Sequence, residues 1–246
     1  MANLTATQNA ISSQDEVLDD QEMQTHILST YNSLRFGMGV MAAITPPIIV
    51  LWGYLFHITW RDSISAYYFA PRGDLWEYSA YPCRVLFVGF LFALGSFLYL
   101  YKGFSKREDW ALNTAGICAV TVAVFPMYTE PDYIPWSKYV HYSAAVVLFL
   151  CVAYVAIFCH QDTLKLLPDP DLRQRYKVLY NIVGWFMAFF PIIGLIAARF
   201  LEAAQRQTFW IEAAGIWAFA AYWFIKSQEL KTSQADLKAA TGTMVS

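Results

Sequence analysis

Charge is what this sequence has least of. Only 15% of its 246 residues are Asp, Glu, Lys or Arg, while 57% are hydrophobic and the mean hydropathy is +0.36. A soluble domain is nearer a quarter charged, because its surface has to stay dispersed in water. The 17 basic and 19 acidic residues leave a net charge of −2, without the concentrated Lys and Arg that a phosphate backbone requires. No nucleic-acid partner is expected. Cysteine is equally sparse. Cys83, Cys118, Cys151 and Cys159 form no Cys-x-x-Cys pair and three of them lie in apolar runs, which argues against a disulfide framework and a zinc knuckle. Gly-rich phosphate loops, a G-x-S-x-G elbow and an H-E-x-x-H helix are all missing. No cofactor is expected. Residues Met1 to Thr30 have no basic segment followed by an apolar one, so no signal peptide is read there.

What the sequence has is long apolar runs. A membrane-crossing helix needs about 20 mostly apolar residues. Six stretches meet this: Phe36 to Trp60, Tyr81 to Tyr101, Trp110 to Tyr128, Tyr139 to His160, Val178 to Leu201 and Phe209 to Ile225. Trp and Tyr edge most of them, as they do at headgroup depth. The expected fold is an all-α polytopic bundle of six transmembrane helices. A polar acidic tail over residues 1–34 precedes the transmembrane domain of 35–226, and a polar tail of 227–246 follows. Pro46, Pro47 and Pro191 fall inside runs and predict kinks. Small residues at Gly37 to Gly39, Gly89 to Gly95 and Ala213 to Gly215 predict close helix contacts. With the N-terminus cytoplasmic, eleven Lys and Arg fall on the inner face and six on the outer, so both termini are expected inside a plasma or inner membrane.

The candidate site lies at the outer ends of these helices. The connector after the first run reads Arg61-Asp62-Ser63-Ile64-Ser65-Ala66-Tyr67-Tyr68 and continues through Arg72, Asp74 and Glu77. His57, Arg84, His141 and Glu212 each lie about one turn inside a different run, at one outer depth. Ionisable groups at that depth cost a few kcal/mol unless paired or hydrated, so they face a bundle interior. The candidates for a shared ligand pocket are therefore Arg84, His141, Glu212, Asp62, His57, Ser65 and Tyr67. Each has a plainer role as well. Arg84 can snorkel to headgroups or neutralise a carboxylate, the histidines can be interfacial hydrogen bonders, and the serines can be helix caps. A pairing of Arg84 with Glu212 is expected, and an inward His141 beside a carboxylate or tyrosine. The leading function is binding of a lipid headgroup or small amphiphile, or docking of a membrane partner. The alternative is a metal-dependent hydrolase built on His57, His141 and a carboxylate. A bis-histidine haem between the first and fourth runs is a third arrangement that the depths permit.

Several of these stretches also resemble a family. Asp62-Ser-Ile-Ser-Ala-Tyr-Tyr, Arg84-Val-Leu-Phe-Val-Gly, Phe125-Pro126, His141-Tyr-Ser-Ala and Phe209-Trp-Ile-Glu-Ala-Ala-Gly-Ile-Trp-Ala-Phe look like uncharacterised bacterial membrane proteins of the DUF998 kind. Those are similar in layout to the Frag1/DRAM/Sfk1 group. The resemblance spans about residues 35 to 226. It implies six helices with a polar outer loop, and it supplies no reaction; eukaryotic members of the Frag1/DRAM/Sfk1 group are linked to lipid organisation.

Overall fold

The structure is a computed structural model. It describes residues 2–70, 81–127, 136–200 and 208–242, and in the first helix the side chains from Glu22 onward. Arg72, Asp74 and Glu77 of the predicted outer connector lie outside the described residues. Described residues are helical or in turns, with no strand among them.

Helix α1 runs Ala2–Leu55 and continues through Pro46 and Pro47. The acidic segment expected as a tail is thus the first part of this helix. A short 3-10 helix, Ser65–Phe69, follows, and then α2, Pro82–Leu100, which begins with proline where its missing N–H costs nothing. Helix α3, Lys106–Val124, starts from Ser105, whose hydroxyl accepts the Glu108 N–H as an N-cap. Helix α4, Ser137–Tyr154, passes into a π-helical turn at Val155–Cys159 and a short α5, Gln161–Leu164. Helix α6 spans Pro170–Phe200, α7 spans Thr208–Ser233 and α8 spans Ala235–Ala240.

Among the described residues, five segments are long and apolar enough to cross a membrane: Glu22–Leu55, Pro82–Leu100, Ser137–Leu164, Pro170–Ile193 and Thr208–Ser233. The third predicted run corresponds to α3, which falls outside this set. Its first four residues, Lys106, Arg107, Glu108 and Asp109, are all charged and dilute an otherwise uncharged helix.

The long helices form a closed ring. Helix α1 packs on α2 and α7, α2 on α3, α3 on α4, α4 on α6, and α6 on α7. Small residues set how closely they approach. A Cβ on Gly116 would lie 2.6 Å from the Gly95 carbonyl oxygen, so α2 and α3 meet backbone to backbone. Gly39 lies against the Phe224 ring in the same way, whereas Gly37 and Gly89 face open space. Large apolar side chains such as Val85, Trp110, Ile117 and Ile182 stay exposed on the outside of the ring, as in a protein whose outer solvent is lipid.

The C-terminal segment departs from expectation. Residues from 227 onward carry α7 on to Ser233, and Ser227, Glu229, Leu230 and Ser233 are buried. Asp236 of α8 forms a bidentate ion pair with the buried guanidinium of Arg35 on α1, with Nη1 to Oδ1 at 3.1 Å. The short helix that follows the last long one is thereby tied to the middle of α1.

Candidate functional site

The 3-10 helix packs on α2, and with the residues before it folds back against the ends of α1, α4 and α7. Gly53 makes room for this, since a Cβ there would lie 2.9 Å from the Tyr67 ring. Tyr67 is buried, accepts the Arg61 N–H at 3.5 Å and packs edge-on to Phe209. Burial pushes its phenol above the usual range, with the Arg61 N–H opposing.

Glu212, in the first turns of α7, clamps this segment. Its carboxylate accepts the Ser63 hydroxyl at 2.7 Å, the Ile64 N–H at 2.6 Å and the Ser65 N–H at 3.4 Å. A carboxylate at the start of a helical turn satisfies N–H groups that have no partner within the turn.

His141, near the start of α4, completes the cluster. Its Nδ1 lies 3.1 Å from the Val122 carbonyl oxygen and 2.8 Å from that of Phe125, at the end of α3. Both partners can only accept, so Nδ1 carries the proton. A neutral ring then presents the Nε2 lone pair, and the Ser65 hydroxyl lies 3.2 Å from it. The imidazole is buried, at 3% exposure, and held from both sides.

Behind Ser65, His141 and Glu212 lies a cavity of about 150 Å³ inside the helix ring. Apart from Thr45 and Tyr142, the rest of its wall is apolar, with Leu91 of α2, Leu148 and Phe149 of α4 and Ile216 of α7 among the lining residues. The sequence-predicted residues therefore separate into two groups. Ser65, His141 and Glu212 meet at one end of the cavity. Ser63 joins them.

Arg84 does not pair with Glu212. Its guanidinium lies over the rings of Tyr68, Phe69 and Tyr81 at 4.6, 5.1 and 4.2 Å, and its Nε donates to the Tyr68 carbonyl at 3.3 Å. Among the described residues, three aromatic faces and a carbonyl surround the guanidinium. Asp62 is exposed and contributes its backbone carbonyl, which accepts the Phe209 N–H at 2.6 Å. His57 is exposed beyond the end of α1, with a positive φ of 57°. It lines no part of the cavity. His141 faces inward as expected, but toward a serine and two carbonyls rather than a carboxylate or tyrosine.

A second polar centre, not foreseen from the sequence, lies at the opposite end of the ring. Lys226 on α7 is buried between Glu108 of α3 and Glu229 of its own helix, with Nζ to carboxylate distances of 4.0 and 3.8 Å. Lys226 donates to Thr163 Oγ1 at 3.2 Å. Thr163 and Tyr180 in turn donate to Glu229 Oε2 at 3.0 and 3.2 Å. Glu108 accepts the Phe104 N–H at 2.9 Å. Lys226 is one of the eleven Lys and Arg that the charge count assigns to the inner face. The one available signal was the i, i+3 spacing of Lys226 and Glu229 at the end of an apolar run, which puts both on one helix face.

Among the described residues no group of three or more His, Cys, Asp or Glu could hold a metal ion. The donor set of the metal-dependent reading is therefore not assembled there, because His57 and His141 belong to different surroundings. No protein-family model, curated protein or solved structure matches the chain. The fold defines an all-helical protein with several helices fit to cross a membrane, compatible with an integral multi-pass membrane protein.

Proposed function

We propose that this chain is a six-crossing membrane protein that binds an amphiphile, with its polar head at Ser65, His141 and Glu212 and its apolar part in the cavity behind them. One observation carries this reading: an apolar cavity inside the helix ring ends on a converging hydroxyl, imidazole and carboxylate. A cavity of about 150 Å³ holds a benzene-sized apolar body, or a chain of about six carbons. Glu212 can only accept hydrogen bonds while ionised. The favoured head therefore carries donors, a hydroxyl or an ammonium, and an anionic head is disfavoured by charge. This accords with the link to lipid organisation of the Frag1/DRAM/Sfk1 group and narrows it to a head that donates hydrogen bonds.

Helix α3 is the sixth crossing in this reading. Glu108 near its start belongs to the Lys226 centre, and Val122 near its end meets His141. Nineteen residues at 1.5 Å each span about 28 Å, close to the hydrocarbon thickness. Six crossings also agree with the Arg35–Asp236 pair, which brings the first and last crossings to one face. The Lys and Arg count assigns that face to the cytoplasm.

Binding of monohexanoylglycerol to the purified full chain in detergent tests the reading. Measurable saturable binding is expected. It should fall tenfold or more in Ala145→Leu, which adds bulk to the cavity wall. Equal affinity in both proteins refutes it.

A further inference from the structure

We propose that Ser65 is a nucleophile and His141 its general base, so that the site transfers the acyl group of an ester-linked amphiphile. This inference rests on the amphiphile-binding reading and adds a reaction to it. The geometry has the three parts an activated serine needs. The hydroxyl lies 3.2 Å from Nε2, within or at the edge of hydrogen-bond reach for a resting site. The opposite ring nitrogen is fixed as a donor by two carbonyls at 3.1 and 2.8 Å, which forces the tautomer whose Nε2 can take a proton. Orientation of the base by a third group is the recurring logic of such sites, and main-chain oxygens perform it here. Finally, the serine opens on the apolar cavity, which would hold the acyl chain while the polar alcohol part faces outward.

The step balances with no oxidant or metal. Ser65 Oγ bonds to the ester carbonyl carbon as its proton passes to His141 Nε2. The ester C–O bond then breaks, and the leaving alkoxide takes that proton from Nε2. Water at the outer face, or a second alcohol, attacks the acyl-serine and gives its own proton to Nε2. Ser65 leaves with the proton returned to it. For the oxyanion, the N–H of the nucleophile itself is the available donor. It is held only by longer bonds, 3.1 Å to Ser63 Oγ and 3.4 Å to Glu212. Ile64 N–H, at 2.6 Å from Glu212, is taken.

A hexyl fluorophosphonate, which reacts only with activated serines, is the probe. Peptide mass spectrometry of the full chain in detergent should find one adduct per molecule, on Ser65, and none there in Ser65→Ala. His141→Gln should slow labelling by roughly 10²–10⁴-fold, the usual contribution of a positioned base. If His141→Gln fails to fold, chain length decides instead. The hexyl probe should label wild type faster than an ethyl probe, and Ala145→Leu should erase that preference. A hydrogen bond that merely satisfies both side chains would give none of these results. Labelling spread over other serines, or an unchanged rate in folded His141→Gln, overturns the proposal. Monohexanoylglycerol binding without a Ser65 adduct overturns the nucleophile and leaves the binding reading intact. Loss of both removes both.

Discussion

Replacing Glu212 with Ala is the sharpest stability test of the clamp between α7 and the 3-10 helix. The carboxylate accepts two short hydrogen bonds, 2.7 Å from Ser63 and 2.6 Å from Ile64 N–H, and a longer one at 3.4 Å. Hydrogen bonds to charged groups contribute about 1.5–3 kcal/mol each, so the two short ones set a scale of roughly 3–6 kcal/mol. Removing the carboxylate also removes its own desolvation cost, which offsets part of this. Ile64 is nearly fully buried, at 2% exposure, so its freed N–H finds no water. We expect a net loss of about 3 kcal/mol for Glu212→Ala. Ser63→Ala removes one short bond and should cost about 1–2 kcal/mol. Glu212→Gln should fall near Ser63→Ala, because its amide oxygen can keep the Ile64 N–H while its NH₂ donates to the serine. Reversible unfolding in mixed micelles, followed by tryptophan fluorescence, measures all three. A Glu212→Ala protein no less stable than Ser63→Ala would show that the clamp does not hold the segment.

Other outcomes follow from the packing and the charges. Gly116→Ala puts a methyl against backbone atoms at 2.6 and 3.0 Å; overpacking of about 1–3 kcal/mol should exceed the helix-propensity gain of about 0.5–1. Gly89→Ala, with open space around it, should be neutral or stabilising in the same unfolding assay, and the reverse order would contradict the α2–α3 packing. Glu108 is buried with its carboxylate 4.0 Å from Lys226 Nζ. Glu108→Gln removes the charge that faces this buried ammonium and should cost about 1–3 kcal/mol in the same unfolding assay; an unchanged stability would show that the centre does not hold α3 to α7. Cysteines introduced at Asp62 and Asp169 should label from opposite sides of sealed vesicles, Asp169 only after permeabilisation. Labelling of both from one side contradicts the orientation.

Much of the architecture was legible because membrane solvent writes long apolar runs into a sequence. The boundaries were less so. The run at Trp110 was read correctly as helix, but the charges at 106–109 belong to the same helix, and one of them is buried. Residues from 227 onward read as a polar tail because Ser227 and Glu229 are polar. Glu229 is buried because Thr163 on α5 and Tyr180 on α6 donate to it, and Lys226, just before, meets Glu108 on α3, which no local pattern reveals. At the candidate site, matched depth singled out His141 and Glu212, which line the same cavity. It could not tell that Arg84 would be met by three rings, because depth fixes height along the bundle and not azimuth around it. Ser63, a neighbour of the predicted Ser65, emerged as the stronger partner of Glu212 only once the chain reversal after α1 was seen.

The central claim is that an amphiphile occupies the cavity with its head at Ser65, His141 and Glu212. Photo-crosslinking with a monoacylglycerol carrying a diazirine on its acyl chain tests it most directly, with adduct positions read by peptide mass spectrometry. Adducts are expected on cavity residues from three helices, Leu91, Phe149 and Ile216, suppressed by excess monohexanoylglycerol. Adducts confined to outward residues such as Val85, Val147 and Trp217, unaffected by that competitor, would contradict it.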